Sequence, residues 1–99
     1  MLDLVSIIKK TYSNDEIEQE IATETSREIW VDVQDVTRAE WISAGQMGLR
    51  PQYTLRTNAM NYLGESTIKM KGIRFAIYRT YRIPGSDDIE LYIQSEVGA

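Results

Sequence analysis

The chain alternates. In "REIWVDVQDV", Ile29, Val31 and Val33 fall on one side and Trp30, Asp32 and Gln34 on the other. This is the period-two pattern of a strand with one buried face. "IELYIQSEV" repeats it, with Ile89, Leu91 and Ile93 on one face, and in "IRFAIY" Ile73, Phe75 and Ile77 alternate with Arg74, Ala76 and Tyr78. "LDLVSIIKKTY" is rich in β-branched and apolar residues and predicts a first strand, ended by the turn cluster Ser13-Asn14-Asp15. "EIEQEIATET" sets Glu16, Glu18 and Glu20 opposite Ile17 and Ile21, which predicts a strand with one solvated acidic face. "YTLRT" predicts a further strand and "NAMNYLGES" a loop. "STIKMKGIRFAIYRTYRI" predicts two strands turning near Lys71-Gly72, and "PGSDD" at 84–88 a hairpin connection. Five to seven short strands separated by turns predict a mainly β fold: a small single-domain antiparallel β-barrel over residues 1–99. Closing the sheet removes the exposed edges on which isolated sheets aggregate.

One stretch breaks the alternation. In "DVTRAEWISAGQMGLRPQYTLRTN", Thr37-Arg38-Ala39-Glu40 matches a helical capping box. The threonine hydroxyl can accept from the amide at position 40, and the Glu40 carboxylate can reach back to the amide of Thr37. Trp41, Ile42, Gly45, Gly48 and Leu49 then share one helical face, Gly48 is placed to stop the helix, and Pro51 follows. Such a helix is weak. About eleven residues do not hold a helix alone in water, and Gly45 in the interior costs about 1 kcal/mol against alanine. The segment 36–52 therefore reads as a long inserted loop carrying a short helix that needs a partner surface. Its mixed polar and apolar surface, "RAEWISAGQMGLRPQ", suits a neighbouring subunit better than a buried core.

Composition narrows the chemistry. The chain has 99 residues, 42% of them hydrophobic, with no cysteine and no histidine. Disulfides, thiolate metal sites and histidine-based triads are excluded, so no catalytic residue, metal site or cofactor is expected. The densest late carboxylates, Asp87, Asp88 and Glu90, adjoin the Pro84-Gly85 turn, and turn chemistry accounts for the aspartates. No apolar run is long enough to span a membrane, and Asp3 stands where a secretory signal carries positive charge, so a cytosol-like compartment is expected. Net charge is −4: residues 1–49 hold ten acidic and four basic side chains, and residues 50–99 hold five and seven. An acidic chain is not built for tight nonspecific DNA binding. The split suits contacts between copies or with ordered partners. Tyr78, Arg79, Tyr81 and Arg82 interleave aromatic and basic groups. With Arg74 they form a candidate subunit interface; the competing reading is a single-strand nucleic-acid surface.

The residues "REIWVDVQDVTRAEWISAGQMGLRPQYTLRT", "NYLGESTIKMKGIRFAIYRTY" and "DIELYIQSEVG" together give the chain a likeness to a known family. In order they supply Trp30-Val31, Thr37 to Trp41, Ala44-Gly45-Gln46, Pro51, Gly72 and Glu90-Leu91-Tyr92. From about Ser26 to Gly98 the chain resembles the head–tail adaptor family of tailed bacteriophages, also called head-closure or stopper proteins. Ile73-Arg74-Phe75 departs from the family pattern of a basic residue and then an aromatic after the glycine.

The resemblance implies a virion protein made in the bacterial cytoplasm. It would be a monomer when free and a homo-oligomeric ring, dodecameric on the family pattern, once assembled. A portal or adaptor would lie above it and a tail-completion or tail-tube protein below. The inserted loop would gather at the ring axis and close the channel on packaged double-stranded DNA without reading its sequence. The loop residues so implied are Thr37, Arg38, Glu40, Trp41, Ala44, Gly45, Gln46, Gly48, Arg50 and Pro51. The alternative within the same class is another neck or tail-completion protein.

Overall fold

A computed structural model describes residues 1–14 and 20–96. The elements are β1 (Leu2–Asn14), β2 (Glu20–Asp35), α1 (Arg38–Gln46), β3 (Pro51–Asn58), a single 3-10 turn (Ala59–Asn61), β4 (Thr67–Met70), β5 (Ile73–Arg82) and β6 (Asp88–Ser95). The six strands close into a barrel in the order β1-β2-β3-β6-β5-β4, every pair antiparallel. Alternation explains the core. Val5 and Ile7 of β1, Ile29 and Val31 of β2, Leu55 of β3, Ile68 and Met70 of β4, Phe75 of β5, and Ile89, Leu91 and Ile93 of β6 fill the interior. Their strand neighbours point outward, as the pleat requires.

The expected turn at Lys71-Gly72 is present. Both residues have positive φ, 53° and 79°, which joins β4 to β5 with the twist a two-residue hairpin needs. The turn sets Ile68 opposite Phe75. Ile73, expected with the inward set, is instead exposed, because it follows the turn at the rim of the barrel where no neighbour covers it. The Pro84–Asp87 connection also forms, closed by the Ile83 amide donating to the Asp88 carbonyl at 3.1 Å.

Two boundaries differ from the sequence reading. Ser13 and Asn14 do not turn. They pair with Ile21 and Glu20, so the ribbon runs on past them. Pro51 and Gln52 belong to β3, which shortens the insertion to residues 36–50. The expectations placed on Asp15, Glu16, Ile17 and Glu18, and on the side chains of Glu20 and Ile21, lie outside the described residues.

β1 pairs with β2 from Leu2↔Asp32 to Asn14↔Glu20, but β1 meets β4 only through Ser6–Ile8, and β2 meets β3 only through Asp32–Asp35. The rest of the ribbon stands off the barrel, and the molecule measures 49 × 29 × 26 Å. A two-stranded ribbon is marginal on its own. Here two ion pairs brace its base. Arg74 donates to both oxygens of Glu24, at 3.0 and 2.8 Å. Arg27 donates to Glu65 and, at 2.8 Å, to the Asn61 carbonyl. Glu24 and Arg27 are three residues apart, so they leave opposite faces of β2 and hold the ribbon from both sides. The Glu65 side chain is 4% exposed. Burial alone would raise its pKa. The bonds from Arg27 and from the backbone amides of Leu63 and Glu65 outweigh that and hold it below the ordinary carboxylate range.

Candidate functional site

The insertion between β2 and β3 is a helix with both ends made. Thr37 is extended at φ −69° and ψ 156°, and its hydroxyl accepts from the Glu40 amide at 3.2 Å. This satisfies one of the amides a helix start leaves unpaired. At the other end Gly48 takes φ 79°, the Gly48 amide donates to the Gly45 carbonyl, and the Leu49 amide reaches back to the Ala44 carbonyl, each at 3.0 Å. That pair of bonds is a Schellman ending, which places glycine at this position because a side chain strains the left-handed backbone.

The expected return bond from the Glu40 carboxylate to the Thr37 amide is not made. Glu40 turns instead to the barrel wall. Its carboxylate accepts from the Tyr78 hydroxyl at 2.6 Å and from the Arg79 guanidinium. A bulge in β5 between Ile77 and Arg79 makes this possible. Strict alternation would send Arg79 inward with Phe75 and Ile77. The extra residue shifts the register, so Tyr78 and Arg79 both face the helix. Arg79 also lies 4.0 Å above the ring of Tyr92, whose hydroxyl donates to Glu90 at 2.8 Å.

The electrostatics follow from these contacts. The bond from Arg79, against some burial, holds the Glu40 carboxyl below its ordinary range. Glu40 in turn raises Arg79. Burial and then the bond to Glu40 push Tyr78 well above the usual phenol, and burial with the bond to Glu90 pushes Tyr92 up to about 12. Both phenols therefore remain donors throughout the neutral range. The site contains a fixed ion pair and two phenols, a set that holds a helix in place.

Docking through Glu40 rotates the helix away from its expected orientation. Ala44, one turn on, is 1% exposed, whereas Trp41 is 54% and Ile42 50% exposed. The face that packs is Glu40 and Ala44, and the expected stripe of Trp41, Ile42 and Gly45 looks outward. Gly45 has no atom within 4 Å of where a Cβ would stand. Gly45→Ala should therefore strengthen the helix of the lone chain by about 1 kcal/mol, read as slower amide exchange over residues 38–46.

The remaining candidates separate. Arg38 and Gln46 are exposed at the two ends of α1, the Arg50 amide donates to the Gln94 side chain at 3.0 Å, and Pro51 is buried at the start of β3. Of the β5 group, Arg74 braces the ribbon, Tyr78 and Arg79 hold the helix, and Tyr81 and Arg82 are exposed. The sequence reading gave Tyr92 and Glu90 no part in the site, yet they complete the network, and their outward position was readable from the alternation of Ile89, Leu91 and Ile93. It also missed Arg27 and Glu65, for which no local signal exists. Among the described residues no group of three histidine, cysteine or acidic side chains could hold a metal ion, and no helix is long and apolar enough to cross a membrane. In comparisons with known proteins, no family model matches the chain and no curated protein matches it.

Proposed function

We propose that the chain is a structural protein of a tailed-phage connector. Copies form a ring below the portal or adaptor, the inserted segments close the channel on packaged DNA, and the ring offers the surface on which the tail docks. The observation that carries this reading is a well-capped helix, inserted into a closed barrel, that is held by one carboxylate and shows its apolar residues to the outside. A closure element needs a stable body, a segment that moves without unfolding that body, and a face for its neighbours. No residue of the hydrophobic core cluster comes from the insertion, so the barrel does not depend on it. Arg38 and Arg50 are exposed and can meet DNA phosphates, and residues 35–58 carry a net charge of only +1. Weak contact of this kind leaves the DNA free to eject.

The family resemblance supports the same reading. So does the engagement of Tyr78 and Arg79 with Glu40, which ties up half of the surface that a single-strand binder would use. The test is the virion. DNA-filled heads that lack tails should label with antibody to the chain, and the purified chain should sediment as a monomer that forms a ring only with the portal complex. Filled tailless heads without the chain would remove the closure role and favour a tail-completion protein.

A further inference from the structure

A cleft opens where the insertion rejoins the barrel. Gly48, Arg50 and Gln52 line it on one side, and Gln94 and Ser95 of β6 on the other, around a space of about 460 Å³. Three local features fix its walls. Gly48 takes the left-handed turn that stops α1. A bulge between Pro51 and Tyr53 leaves Gln52 as an extra residue of β3, exposed beside Arg50. The Arg50 amide donates to Gln94 Oε1 at 3.0 Å.

That bond settles which way Gln94 points. A backbone amide only donates, so the atom it meets is the side-chain oxygen, and Gln94 Nε2 is left as a donor for another partner. Gln52 adds a second side-chain amide, Ser95 a hydroxyl, and Arg50 a planar guanidinium. Among the described residues Arg50 enters no ion pair.

Charge separates this cleft from others on the molecule. Arg82 shares a cleft with Asp87, Arg74 with Glu24, and Lys71 with Asp3. Among the described residues Arg50 shares its cleft with amides and a hydroxyl and with no acid. The next acid along the chain, Glu96, donates its amide to the Arg74 carbonyl on the β5 side of β6, whereas the cleft opens on the β3 side. The donors also come from different elements. A carboxylate is satisfied by the guanidinium fork alone, whereas a tetrahedral anion has further oxygens for the amides and the hydroxyl.

We propose that this cleft binds a phosphate group, with Arg50 gripping two of its oxygens and Gln94 and Gln52 donating to the others. The site stands without the connector reading, but a phosphodiester of packaged DNA as its occupant rests on that reading. Gly48 and Arg50 belong to the connection and Gln94 and Ser95 to the barrel, so a phosphate held here ties the end of the insertion to β6.

Inorganic phosphate added to the full chain at constant ionic strength should move the NMR signals of the Arg50 guanidinium and of the Gln94 and Gln52 side-chain amides, and the shifts should saturate. Gln94→Glu keeps an acceptor for the Arg50 amide and sets an acid in the cleft, so it should abolish the shifts while the β-sheet spectrum is unchanged. Arg50→Gln should weaken binding about tenfold, and Lys9→Gln, exposed on the ribbon, should leave it unchanged. Shifts that do not saturate, or that ignore the changes at Gln94 and Arg50, would overturn the proposal. A short duplex DNA that competes with phosphate for these signals supports the site with a phosphodiester as occupant. Phosphate that the duplex does not displace supports the site and assigns it to a free phosphate. A chain that labels filled heads and ignores phosphate would overturn the site and leave the closure reading standing. A chain that binds phosphate and is missing from filled heads would do the reverse.

Discussion

Replacing Glu40 with alanine should release the inserted helix and leave the barrel folded. The carboxylate is the only side-chain bond between α1 and the strands among the described residues, and its removal leaves the Tyr78 hydroxyl and the Arg79 guanidinium without that partner. Removing one partner of a half-buried, charge-assisted bond costs about 1–3 kcal/mol. Amides of residues 38–46 should then exchange about ten- to a hundredfold faster, while those of β1 and β6 keep their protection. Glu40→Gln keeps an acceptor without the charge and should fall between the two.

The pH dependence has a definite sign. The folded-state pKa of Glu40 is lowered, so its contribution is complete above its ordinary value of 4.5 and is lost as pH falls through the lowered value. Protection of the helix amides, corrected for the intrinsic pH dependence of exchange, should fall below pH 4.5 in the wild type and stay level there in Glu40→Ala. Glu65 has the same sign, but it reports on the base of the ribbon and not on the helix.

The strands were legible where each buries one face in the barrel. Ile89, Leu91 and Ile93 could be assigned to the interior because a period-two pattern has a single solution once one face is apolar. The helix ends were legible for a similar reason, since Thr37 and Gly48 each have one favourable backbone role. The orientation of the helix was not. Glu40 suits a capping box and a salt bridge equally well, and the choice is made by Arg79, which is 39 residues away. Nor was the bulge at Tyr78 legible, because an inserted residue in β5 leaves no compositional trace in "AIYRTY". The ribbon beyond Ile8 reads as strand whether or not a third strand covers it, so its projection from the barrel is a tertiary fact. The part of the site visible in advance was thus the segment itself. The wall that holds it depends on register.

The largest functional effect is expected from removing the segment. Deleting residues 38–50 joins Thr37 to Pro51 across the ends of β2 and β3, which are already antiparallel neighbours with Asp35 opposite Tyr53. No residue of the core cluster is lost, so the variant should keep its β-sheet spectrum and a cooperative unfolding transition. It should also still join the connector through its barrel. On the proposed role, what it would lack is the closing element. Heads carrying the deletion variant should therefore package DNA and then lose it, and DNA content per purified head is the deciding measurement. Empty heads that still contain the variant are the predicted result. Heads that contain the variant and stay full would contradict it.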